Sequence, residues 1–312
     1  MSDRILVFGA DGFVGHRLVS ALLTHGERPI AISRRTFRNP MPGSENIVAE
    51  FDEPNHLTPL LDRVRAIVYL ASRSTPGTSA GNPLGELHYN LKPLLVLLQA
   101  LQQFPHVSLL YLSSGGSLYT TEHGEPATES STVKPRSYHG AAKIAAEYFI
   151  GAWSAQYHGR ATLLRPSNIY GPGQLEKEGF GIIPTCFAKV VRDEPLQVWG
   201  DGSNVRDYLY IDDFVDLCIK VMQKTMPVGS QILNASSGTG ISLIELFRVI
   251  DHITSKPLII NYEPQRTLDA RYIGMDSSMA RKNYDWTPLT SLQEGLRKTW
   301  DWFNTIPHPP AR

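Results

Sequence analysis

The chain has 312 residues, 42% of them hydrophobic, enough for a sizeable core in one large domain or two interleaved ones. Its 30 basic residues balance 30 acidic ones, so there is no basic excess to draw nucleic acid and no acidic tail. Two cysteines, Cys186 and Cys218, exclude a disulfide framework, and no apolar run approaches the roughly 20 residues needed to cross a bilayer.

At the amino terminus, Met1-Ser2-Asp3-Arg4 runs straight into an apolar strand-like segment, without the apolar core of a secretory leader; a cytoplasmic protein is expected. Strands are predicted at 5–8, 29–33, 46–49, 66–70, 107–112 and 161–164. Helical patterns lie between them at 13–25, 56–63, 83–103 and 139–157. This alternation predicts right-handed crossovers and an α/β fold built on a Rossmann-type, doubly wound parallel sheet. After Pro166 the alternation loosens, and glycine and proline cluster at Gly171-Pro172-Gly173 and Gly200-Asp201-Gly202. A tail of this kind covers the carboxyl ends of the strands, where ligands bind in open sheets. The expected division is a dinucleotide-binding domain over 1–170 and 205–237, with a smaller α/β substrate-binding lobe over 171–204 and 238–312.

Gly9-Ala10-Asp11-Gly12-Phe13-Val14-Gly15 follows the first strand and opens an amphipathic helix. Gly9 suits a tight turn, Gly12 a close backbone approach to a pyrophosphate, and Gly15 close helix–strand packing. The helix amino terminus adds N–H donors and partial positive charge for the phosphates. At the end of the second strand stands Ser33-Arg34-Arg35 rather than an acidic residue. No carboxylate there repels a 2′-phosphate and two guanidiniums can pair with one, so NADP is expected, with NAD as the alternative. The bland reading is that Arg34 and Arg35 form a solvated loop pair.

Later motifs carry a resemblance. Asn90 lies mid-helix in His88-Tyr89-Asn90-Leu91, and Arg165-Pro166-Ser167-Asn168-Ile169-Tyr170-Gly171-Pro172 leaves the sheet. Gly200-Asp201-Gly202-Ser203-Asn204-Val205-Arg206-Asp207-Tyr208 follows, then Asn234-Ala235-Ser236 and Arg266-Thr267-Leu268-Asp269. In this order, with the glycine turn, the chain resembles the extended short-chain dehydrogenase/reductases, and within them the nucleotide-sugar epimerase/dehydratase group. The resemblance implies a nucleotide-diphosphate sugar as partner, its diphosphate held by Asn168, Arg206 and Arg266; planar guanidiniums bind such a group bidentately. Arg206 could instead pair with Asp207 or Asp213, and Arg266 with Asp269. The implied cofactor contacts are Gly9, Asp11, Gly12, Phe13, Val14, Gly15, Ser33, Arg34, Arg35, Leu70, Ala71, Asn90, Lys143 and Pro166. A homodimer through the 83–103 and 139–157 helices is also implied, although their apolar faces would equally suit packing on the sheet. No metal site is read.

The family reaction uses a tyrosine to take a hydroxyl proton, and a lysine four residues later to lower the phenol's pKa from about 10. Here the segment reads Ser137-Tyr138-His139-Gly140-Ala141-Ala142-Lys143. His139 lies four before Lys143 and Tyr138 five before. In a helix the extra step swings Tyr138 about 140° from Lys143. Either Tyr138 reaches in from a non-helical turn, or His139 holds the base position, or the chemistry is lost. The family's serine or threonine falls on Gly115, leaving Ser114 or Ser117 for that role, and Gly116 and Ser117 stand where dehydratases of the family carry an acid pair. The implied activity is a nucleotide-sugar 4-epimerase working through a 4-keto sugar. The alternatives are an NADPH-dependent 4-keto-sugar reductase and a catalytically silent dinucleotide-binding protein.

Overall fold

The computed structural model describes residues 4–119, 125–177, 179–265 and 270–307. Strands β1 (Arg4–Phe8), β2 (Ile30–Ser33), β3 (Glu45–Val48), β4 (Val64–Tyr69), β5 (Ser108–Leu112) and β6 (Arg160–Pro166) match the sequence expectation within about two residues. Beyond them run β7 (Asn168–Tyr170), β8 (Leu196–Trp199), β9 (Val205–Tyr210), β10 (Gly229–Ala235), β11 (Gly240–Ser242), β12 (Ile260–Glu263) and β13 (Tyr272–Ile273). Seven strands form one parallel sheet in the order β10-β6-β5-β4-β1-β2-β3. This is the predicted Rossmann-type α/β fold. The seventh strand, β10, was absent from the sequence expectation.

Successive side chains of a strand point to opposite faces, and helices cover both faces of a parallel sheet, so its strands read as continuous apolar runs. In β1, Ile5 and Val7 enter one core with Leu18 and Leu22, while Leu6 and Phe8 enter another with Leu94, Leu97 and Ile150. The Phe13–Thr24 helix lies beside the Ile211–Gln223 helix, tied by a two-pronged Arg17–Asp212 pair at 2.5 and 2.8 Å. On the other face the Lys92–Leu101 and Tyr138–Tyr157 helices bury Leu97, Ala146, Ile150 and Trp153.

After β3 the chain crosses back to place β4 on the far side of β1. The strand order therefore reverses between β1 and β4, and a crevice opens beyond their carboxyl ends. A smaller sheet joins β7, β9, β11 and β13, and β8 pairs with β12. Residues 168–170 and 205–210, which the sequence boundaries put with the dinucleotide-binding domain, pair in this smaller sheet. Among the described residues no helix is long and apolar enough to cross a membrane.

Candidate active site

Gly9 leaves β1 with φ +81°, a left-handed conformation that favours glycine. Its N–H and that of Ala10 both donate to the Ile32 carbonyl, at 3.1 Å each, which fastens the turn to β2. A Cβ at Gly9 would lie 2.9 Å from the Ala71 nitrogen beyond β4, and one at Gly15 only 2.1 Å from the Gly9 carbonyl oxygen. The turn thus sits at the reversal point, with the backbone closed around space that any side chain would fill. Gly12 caps the helix with no side-chain bond, and no acidic residue stands in the first turn. The end that carries Phe13 and Val14 suits an anion. This cradle fits a dinucleotide pyrophosphate. Asp11 faces away from that role: it accepts from the Arg38 N–H at 3.1 Å and holds the loop after β2.

Ser33 bonds its own loop, accepting from the Arg35 N–H at 3.2 Å. Arg34 faces Glu50 at 4.0 Å, and Arg73 pairs with the same carboxylate. Burial and the neighbouring Arg35 hold the Arg34 guanidinium below its usual range. The arginine pair read from sequence is therefore part of a cluster that includes an acid.

Asn90 sits in a π-helical turn, Leu87–Leu91, within the expected 83–103 helix; such turns recur at functional positions. Its Oδ1 accepts from the Arg73 N–H at 2.7 Å, and its Nδ2 donates to Glu86 at 2.7 Å and to Ser74 at 2.9 Å. The loop following Leu70 and Ala71 is thereby held against the helix. Glu86 is buried, and its spacing of four residues from Asn90 on a helix was the signal for it.

The Tyr138–Tyr157 helix starts at Tyr138. Ser137 caps it by accepting from the Gly140 N–H at 3.1 Å. Tyr138 is therefore helical rather than on a turn; it is 47% exposed and lies outside the cavity. His139 is 8% exposed and lines a small cavity with Ala71, Glu86, Asn90, Tyr111, Ala142 and Lys143. The structure brings His139, not Tyr138, to Lys143. Lys143 donates to the Leu112 carbonyl at 2.6 Å, and its ammonium lies 4.9 Å from the Tyr111 ring centre. Burial pulls its pKa down to about 8, against Glu147 and Glu86. Burial, Lys143 and Lys177 together press His139 down to about 3, so its ring is neutral at physiological pH.

Ser114 donates to Ser117 at 3.0 Å, and neither lines the cavity. A Cβ at Gly115 would fall 2.0 Å from the Met275 sulfur, so a side chain there would have to displace the end of Met275. Ser113 turns inward instead and donates to Glu147 at 2.5 Å. Glu147 also accepts two bonds from Arg165, at 3.0 and 2.5 Å, and Arg165 donates to Tyr119 at 2.8 Å. Tyr119 donates in turn to Asn234 at 2.8 Å. This buried network joins β6, β10, the helix and the segment after β5; of its members the sequence motifs carried Arg165 and Asn234, with no buried network read from them.

At the far end, Asn168 donates to the Asp207 carbonyl at 2.9 Å, and Arg206 donates to the Val205 and Ala270 carbonyls at 2.8 Å each. Pro166 ends β6 in register with Ala235. Arg266 lies outside the described residues.

The family model described as NAD dependent epimerase/dehydratase family matches residues 5–235. A UDP-glucose 4-epimerase of Mycolicibacterium smegmatis is 28% identical, the match covering 96% of this chain and 98% of that one. The solved UDP-glucose 4-epimerase of Thermotoga maritima, bound to UDP-glucose, superposes with a TM-score of 0.89 at 26% identity, covering 97% and 99% of the two chains. The solved MoeE5, with UDP-glucuronic acid and NAD, gives a TM-score of 0.87 at 27% identity over 97% and 99%.

Proposed function

Because the chain belongs to the NAD dependent epimerase/dehydratase family, we propose that it binds a nicotinamide dinucleotide and a nucleotide-diphosphate sugar and works as a 4-epimerase. One observation carries the site assignment. His139 and Lys143 share a helix face one turn apart, and both line the cavity that borders the strand-order reversal. His139 is then the side chain that meets the C4 oxygen, and Lys143 holds the nicotinamide ribose. The bound dinucleotide supplies the hydride acceptor and donor at C4. Gly9, Gly12 and Gly15 admit its pyrophosphate, and Ala71 and Asn90 shape the nicotinamide end. Arg206 and Arg266, with Asn168, take the sugar's diphosphate on this reading, which assigns the nucleotide sugar to the smaller lobe.

The cofactor reading moves from NADP to NAD. Glu50 already faces Arg34 and Arg73, which reduces the positive field available to a 2′-phosphate and places a carboxylate against both arginines. MoeE5 was solved with NAD. The partner reading is a second copy of the chain: Tyr148 and Phe149 on one helix and Leu84, Leu87 and Tyr89 near the other are all exposed.

A second reading, the 4-keto-sugar reductase, is favoured by Gly115 and by the neutral His139. Without a hydroxyl at 115 or a strong base at 139, the site is better suited to meeting a ketone than to deprotonating an alcohol. Calorimetry with NAD, NADP and UDP-, GDP-, CDP- and dTDP-hexoses, followed by product analysis, tests both readings. A C4-inverted hexose with tighter NAD binding is the expected result. Consumption of NADH or NADPH only on addition of a 4-keto sugar selects the reductase, and binding without any turnover overturns both.

A further inference from the structure

Ser74, in the loop after β4, lies outside every motif, yet its hydroxyl is 3.0 Å from Nδ1 of His139. Which partner donates follows from the neighbours. The Asn90 amide is oriented twice over: its oxygen accepts from the Arg73 N–H and its nitrogen donates to the Glu86 carboxylate. The second Nδ2 proton of Asn90 therefore points at Ser74 Oγ, 2.9 Å away. A hydroxyl has one proton and two lone pairs. If His139 donated from Nδ1, both lone pairs of Ser74 would be taken and its own proton would have no acceptor among the described residues. If Ser74 donates, the Asn90 amide, the Ser74 hydroxyl and Nδ1 of His139 are all paired, and the open group is the ring's Nε2–H on the cavity side.

We infer that Ser74 is a positioning residue that donates to Nδ1 of His139 and so holds the imidazole proton on Nε2, where it faces the cavity as a hydrogen-bond donor for a carbonyl oxygen. The backbone at this position is also held, because the His139 main-chain N–H donates to Ser79 Oγ at 3.3 Å. The charged groups around it are Lys143 on its own helix, Lys177 from the segment after β7, and Glu86 across the cavity. The two cations keep a second proton off the ring, and Glu86 is engaged by Asn90. A neutral N–H of this kind polarises a ketone without itself carrying charge. The assignment of the carbonyl to a 4-keto sugar rests on the proposed function; the tautomer rests on the protein alone.

Nitrogen-15 histidine labelling of the full chain, read by two-bond nitrogen–proton correlation at neutral pH, tests the tautomer, with His139→Gln identifying the signals. The unmodified chain should show a bare Nδ1 and a protonated Nε2. Ser74→Ala should mix the tautomers, and Ser74→Thr should restore the single form. A protonated Nδ1 in the unmodified chain, or a ratio unmoved by Ser74→Ala, overturns the role of Ser74. The unmodified chain decides the first point even if Ser74→Ala does not fold. An Nε2–H signal that shifts with a nucleotide 4-keto sugar and not with UDP alone supports the carbonyl. The expected tautomer with no response to any sugar overturns the sugar reading and leaves the role of Ser74 standing.

Discussion

The glycine turn after β1 and the start of the Tyr138–Tyr157 helix both face the crevice, but they are specified in different ways. The turn acts through backbone. Its conformation, its N–H groups and the missing Cβ atoms make the cradle, and three glycines at short spacing suffice to announce it. The helix start acts through side-chain register. Ser137 sets where the helix begins, so a single position decides whether a phenol or an imidazole enters the cavity. A site made of backbone survives variation in its side chains; one made of register changes chemistry with one residue.

The largest effect is expected where the backbone leaves no room. Gly15→Val should cost about 3 kcal/mol, because its Cβ would collide with the Gly9 carbonyl. Urea unfolding should show that loss and calorimetry should show no dinucleotide binding; normal stability would break the account of the turn. Next comes the register. His139→Gln should slow turnover about 10²-fold, the scale for losing a placed hydrogen-bond donor at the reacting oxygen, while Tyr138→Phe should leave it nearly unchanged. Equal losses in both variants would mean that the exposed ring works after all.

The buried imidazole should also leave a mark on stability. Its folded pKa of about 3 lies below the ordinary 6.5, so between those values the unfolded chain binds the extra proton first. Stability should therefore fall as pH drops from 6.5 toward 3, with a slope of up to about 1.4 kcal/mol per pH unit from this group. His139→Gln should flatten the unfolding free energy across that window, and an unchanged pH profile would count against a buried, neutral ring. The smallest effect is expected at the half-exposed cluster near β2. Glu50→Gln should free Arg34 and improve NADP binding by less than about 1 kcal/mol. Calorimetry showing no gain would remove Glu50 from cofactor choice.

Most of the sheet was legible because buried parallel strands are apolar throughout and helices keep their period. β10 escaped because Gly229, Ser230 and Gln231 open it and only Ile232 and Leu233 look strand-like; pairing along the whole of β6 makes it a strand. Lys143, His139 and Asn90 were legible as motif positions. Ser74 and Ser113 were not, because an isolated serine in a loop carries no periodic signal, and Glu86 showed only through its four-residue spacing from Asn90.

By itself the sequence determined the strand–turn–helix that builds the dinucleotide cradle, since that unit is contiguous and its glycines act through local sterics. It also set His139 and Lys143 four residues apart, which any helix turns into a shared face. Only the tertiary structure decided where that helix begins, that Met275 closes over Gly115, and that Glu50 stands against Arg34. The partners in each contact come from distant parts of the chain, and they meet because parallel strands from across the sequence end at one edge of the sheet.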